Sequence, residues 1–96
     1  MTTKQRAFLR SLAQTIDPVT QIGKEGITDA FLTSVDQAIE KRELIKISVL
    51  QTSPVFAKEA SVEIAQAIGA VVVQVIGSKI VLYRKNEKKP KIVLPR

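Results

Sequence analysis

Residues 70–83, "AVVVQVIGSKIVLY", constrain this chain more than any other stretch. Positions 70–76 are almost wholly apolar and predict a strand covered on both faces. Gly77-Ser78 then suits a two-residue type II′ turn, whose first position needs the positive φ that glycine takes freely. Ile80 to Tyr83 returns as the antiparallel partner. Such a hairpin is marginal by itself, so the rest of the chain has to supply further strands and a covering layer.

The remaining residues supply both. Thr3 can cap a first helix, in which Phe8, Leu9, Leu12, Ala13 and Ile16 form an apolar stripe and Lys4, Arg6 and Arg10 fall largely off it. Asp17-Pro18 ends that helix, because proline disfavours helical geometry in the residue before it. Val19 to Ile22 reads as a short strand. Thr28 is the expected N-cap of a second helix, with Asp29 suited to its positive end and Leu32, Val35 and Ile39 facing inward. In the strand from Leu44 to Leu50, Ile45, Ile47 and Val49 alternate with Lys46 and Ser48. Ser53-Pro54 predicts the start of a third helix, with Phe56, Ala60, Ile64, Ala65 and Ile68 on its inner face and Gly69 as its left-handed cap. The order is α-β-α-β-α-β-β. Strand–helix–strand links favour parallel crossovers, so the expected fold is α/β: one compact domain over residues 1–96, with a four-stranded mixed sheet and three helices. Residues 86–96 are the one stretch expected to be loosely ordered, where "KIVL" either adds an edge strand or docks on the domain.

The side chains present exclude much chemistry. The 96 residues contain no cysteine and no histidine, which removes disulfides, thiolate nucleophiles, the common zinc ligands and the usual proton shuttle near neutral pH. The carboxylate pairs Asp36/Glu40 and Glu59/Glu63 are each one helical turn apart on faces predicted to be wet, where solvation explains them better than acid–base work. No catalytic residue, metal or cofactor is expected. No apolar run is long enough to span a membrane, and no signal peptide is evident, so a cytoplasmic protein is expected.

The formal charge of +6 is unevenly placed. Residues 1–10 hold three basic groups and no acid, and residues 79–96 hold seven against Glu87 alone, while the middle is net acidic. Two basic ends that meet in space favour a polyanion. Between the first strand and the second helix lies Gly23-Lys24-Glu25-Gly26. It is not a Walker loop, since the spacing is too short and the Lys-Ser/Thr ending is missing. Two glycines let a backbone approach a sugar-phosphate chain closely, the following helix start is electropositive, and Lys24 adds a full charge. Glu25 opposes this unless it points away or meets a base edge or a partner. A strand-to-helix turn needing glycine geometry is the plainer reading of the same residues. Phe8, Phe31 and Phe56 fall on stripes predicted to be buried, leaving only Tyr83, too little for stacking successive bases. Structured RNA gripped through phosphates and shape is the better match.

The segments "TKQRAFLRSLA", "PVTQIGKEGIT", "ELIKISVL", "GAVVVQVIGSKIVLYR" and "IVLPR", in this order, strongly resemble the YhbY-like proteins of the CRM group, named for chloroplast RNA splicing and ribosome maturation. The resemblance runs from Thr3 to Arg96. It implies an α/β RNA-binding domain similar to the C-terminal domain of bacterial translation initiation factor three, associated with precursors of the large ribosomal subunit (pre-50S particles). It maps the family's GxxG loop onto Gly23, Lys24, Glu25 and Gly26, the basic positions of its first helix onto Lys4, Arg6 and Arg10, and the basic end of its last strand onto Arg84, beside Lys85. Lys46, on the polar side of its strand, is a further candidate for RNA contact. The expectation is a non-enzymatic, monomeric RNA-binding ribosome assembly factor. The alternative is a protein-interaction module whose positive face docks on an acidic ribosomal or assembly protein.

Overall fold

The computed structural model describes residues 1–96. Its elements are α1 (Thr3–Ala13), β1 (Thr20–Ile22), α2 (Asp29–Arg42), β2 (Leu44–Val49), α3 (Ala57–Ile68), β3 (Val71–Ile76) and β4 (Lys79–Tyr83). The four strands form one mixed sheet in the order β1-β2-β4-β3. β1 and β2 are parallel, and β4 is antiparallel to both β2 and β3. Three helices and a four-stranded mixed sheet agree with the sequence expectation.

Strand alternation divides the core into two layers. Ile45 and Ile47 of β2 and Ile80 and Leu82 of β4 point to one face, where they pack with Val35 and Ile39 of α2 and Ala60 and Ile64 of α3. Leu44, Val81 and Tyr83 point to the other face, where Leu9 and Ala13 of α1 cover them together with Val73. Ile92 and Leu94 pack against this second layer. Residues 86–96 form neither strand nor helix. "KIVL" therefore docks on the domain rather than extending the sheet.

Several boundaries depart from expectation. Thr2, not Thr3, caps α1: its hydroxyl accepts from the Gln5 N–H at 3.0 Å while Gln5 Oε1 accepts from the Thr2 N–H at 3.0 Å. α3 starts at Ala57, after the predicted Ser-Pro signal. The Ser53 hydroxyl is used locally, accepting from the Val55 N–H at 3.1 Å, so it closes a turn in place of capping the helix. Phe56 takes the N-cap position with no side-chain cap. β3, expected to be covered on both faces, is an edge strand with Val71 and Ile76 exposed. The central, fully covered position goes to β4, which the hairpin folds back between β3 and β2. The hairpin turn is as expected: Ile76 pairs with Lys79, and Gly77 has φ of 56° while Ser78 stays at negative φ.

Candidate nucleic-acid interface

One end of the sheet gathers three connections. β1 and β2 run in parallel, so Ile22 and Val49 finish side by side. β4 runs against them, which brings the Gly77-Ser78 turn to the same end. The Leu50 N–H donates to the Ile22 carbonyl at 2.9 Å and the Val49 N–H to the Ser78 carbonyl at 2.7 Å, tying the three connections together.

The Gly23–Gly26 segment is a closed β-turn, with the Gly26 N–H donating to the Gly23 carbonyl at 3.0 Å. Lys24 and Glu25 occupy its corner and are exposed. Their own N–H groups donate to no protein acceptor. The two glycines are not equivalent. Gly26 has φ of 70°, and a Cβ there would stand 3.1 Å from Pro54 Cγ, so the fold itself requires glycine. Gly23 has no such φ, and a Cβ would meet only Leu50 Cδ1 at an ordinary 3.8 Å. After the turn, Thr28 caps α2 as expected, its hydroxyl accepting from the Phe31 N–H at 3.0 Å.

The basic candidates separate into two groups. Lys46 and Lys79 lie on the α1 face of the sheet and share a concavity with Gln14 and Gln74. Lys79 Nζ donates to Ser48 Oγ at 2.8 Å. Arg10 is exposed one helical turn before Gln14, and Lys24 lies at the end of the sheet that holds the hairpin turn. Lys4 is exposed at the start of α1. Arg6 is instead turned onto β3, where its guanidinium donates to the carbonyls of Val72 and Val73. Arg84 and Lys85 follow β4 at the opposite end of the sheet, about 16 Å from the glycine turn along β2. The Arg84 guanidinium is enclosed by acceptors: Asp36 Oδ1 at 2.6 Å, Glu40 Oε2 at 3.0 Å and the Ile68 carbonyl at 2.7 Å. The structure thus brings Lys46 and Lys79 into one concavity, with Gln14 one turn after Arg10 in its wall, and leaves Arg84 and Lys85 at the end of the sheet away from the glycine turn.

Three residues carry more than the sequence pattern suggested. Phe56, predicted to be buried, is 81% exposed, because α3 begins after it and its side chain precedes the helix's apolar stripe. Tyr83, predicted to be the free aromatic ring, is buried beneath α1, because it shares a strand face with Val81. Burial, then the nearby charges of Glu43 and Glu87, raise its phenol pKa. Glu43 is fully buried at the end of α2 with φ of 66°. Its carboxylate accepts from the N–H groups of Asn86 at 2.8 Å, Lys91 at 2.7 Å and Ile92 at 2.7 Å. Burial pushes its pKa up, but these three donors and the Lys91 charge outweigh that and hold it below the ordinary value. An acid directly after the Lys41-Arg42 end of a helix was the only available signal.

No group of three or more acidic or other metal-ligating side chains converges anywhere in the structure. No helix is long and apolar enough to cross a membrane.

The CRS1 / YhbY (CRM) domain model matches residues 1–84. The chain belongs to this family. Two bacterial proteins resemble it from end to end. "Probable RNA-binding protein YqeI" of Bacillus subtilis is 38% identical over 95 residues, covering 99% of each chain. An "RNA-binding protein" of Haemophilus influenzae is 36% identical over 96 residues, covering 100% of this chain and 96% of its own. The solution structure of the hypothetical protein SAV1595 from Staphylococcus aureus superposes with a TM-score of 0.82 at 45% identity, covering 99% of both chains. This CRM domain therefore has the same fold as that protein.

Proposed function

We propose that this CRM domain is a cytoplasmic, non-enzymatic RNA-binding protein that associates with precursors of the large ribosomal subunit. The observation that carries the reading is the exposed turn at Lys24 and Glu25, whose two N–H groups donate to no protein acceptor and which places an ammonium at one end of the sheet, with Lys46 and Lys79 on the α1 face of the adjoining strands. Backbone donors and cations around a close-approach glycine suit a phosphate diester. Relatives named as RNA-binding proteins span the whole chain, which supports RNA as the polyanion. In this reading the turn takes one phosphate, and Arg10, Lys46 and Lys79 follow the backbone along the α1 side of the sheet. Glu25 and Asp29 flank the same turn and limit how much of the affinity is plain charge.

Sedimentation of tagged protein in a ribosome gradient tests the partner. Enrichment with particles at or below the large subunit, and depletion from translating ribosomes, is expected. Confinement to the top of the gradient at low salt would overturn the ribosomal assignment. Competition tests the ligand: a structured ribosomal RNA fragment should displace bound RNA better than duplex DNA of equal charge, and equal displacement would count against RNA specificity.

A further inference from the structure

Phe56 is placed where folding does not call for it. N-cap positions favour Ser, Thr, Asp or Asn, whose side chains accept from the first turn, and phenylalanine offers no acceptor. Nor does the ring contribute core burial, since it is 81% exposed. It borders a cleft of about 340 Å³ whose wall includes Val49, Leu50, Val55, Gly77 and Ser78. That volume is at the low end of small-molecule sites, enough for one planar ring system.

The cleft adjoins the glycine turn. Leu50, in its wall, is what a Cβ on Gly23 would touch, and Pro54, two residues before Phe56, packs against Gly26. Lys58 is exposed two residues after the ring and Lys24 on the turn, against Glu25 and Glu59. An apolar slot with an exposed aromatic ring, next to a turn that offers the Lys24 ammonium and two backbone N–H groups without protein acceptors, matches a nucleotide in chemistry: an apolar planar face beside an anionic linkage.

We infer that Phe56 stacks on an unpaired nucleobase of the same RNA strand whose phosphate meets the Gly23–Gly26 turn. The inference rests on the proposed RNA-binding function and adds a specificity to it. One ring serves one base, so the domain prefers RNA with an unpaired nucleotide over continuous duplex, whose bases are stacked inside the helix and cannot reach the cleft.

The test uses Phe56→Ser and an RNA hairpin with an unpaired purine loop, alongside a fully paired RNA duplex of equal charge. Serine is a favoured N-cap, so the melting temperature should be unchanged or higher. Affinity for the hairpin should fall roughly tenfold, the worth of one base on an aromatic ring, with duplex binding unchanged. A second variant reads the contact directly. The chain has no tryptophan, so Phe56→Trp places a single tryptophan at the cleft, excited selectively over Tyr83. Its emission should be quenched by the hairpin and not by the duplex. Wild-type hairpin affinity in Phe56→Ser, equal losses on both RNAs, or unquenched Phe56→Trp at saturating hairpin would each overturn stacking while leaving RNA binding intact. Failure of the unmodified protein to bind either RNA at low salt would overturn the functional proposal and this inference with it.

Discussion

Gly23 and Gly26 look interchangeable in the sequence, yet the structure asks different things of them. Gly26→Ala should cost about 1 kcal/mol or more, because a Cβ is disfavoured at a φ of 70° and would press on Pro54. Gly23→Ala should leave thermal unfolding unchanged while weakening RNA binding severalfold, if the backbone there approaches phosphate. Paired melting and binding measurements separate the two effects, and a destabilised Gly23→Ala would show that this glycine is structural. Glu43 is the other residue with a measurable signature. Glu43→Gln replaces a charged acceptor by a neutral one under three N–H donors and should cost about 2 kcal/mol. The folded-state pKa is depressed, so the carboxylate contributes stability above its unfolded pKa and loses it as pH falls through the folded value. Wild-type stability should therefore drop below about pH 4, and Glu43→Gln should flatten that acid limb in denaturant titrations.

At the scale of elements, legibility followed locality. The start of α2 was readable to the residue because its cap, first-turn acid and apolar stripe are all close together in the sequence. The hairpin was readable because Gly77 alone can supply its positive φ. What failed depended on where elements lie relative to one another. An apolar β3 reads as central, but its hairpin partner β4 takes that place. The Arg6 guanidinium covers the Val72 and Val73 carbonyls of β3, where the pairing with β4 shifts register between Val72 and Gln74. No periodicity marks Arg6 as an edge cap or Arg84 as a tie between β4, α2 and the last turn of α3. The candidate site was legible at its glycine turn and obscure at Phe56, whose exposure hinges on a three-residue shift in the start of α3. Arg84→Ala should consequently act on the fold, lowering stability by about 1 kcal/mol with RNA affinity at fixed salt nearly unchanged. The exposed carboxylates it meets contribute little, so most of that loss comes from the Ile68 carbonyl. Thermal melts and binding assays on one preparation distinguish this from a direct RNA contact.

For the whole molecule, the distribution of available cations matters more than the total. If Arg10, Lys24, Lys46 and Lys79 each neutralise one phosphate, the log–log dependence of affinity on salt should have a slope of about −2.8 to −3.6. Lys46→Ala should reduce that slope by nearly one unit and Arg84→Ala should not change it. A slope unaffected by Lys46→Ala would remove the α1 side of the sheet from the interface. The C-terminal segment bears on the molecule in another way. Glu43 belongs to the middle of the sequence, but its three donors, Asn86, Lys91 and Ile92, all lie in the segment after β4. Without that segment the interior carboxylate has no donor and the layer under α1 lacks Ile92 and Leu94. Removing residues 86–96 should therefore uncover a buried carboxylate and one layer of the core together, and limited proteolysis should find the shortened domain more readily cleaved than the 96-residue one.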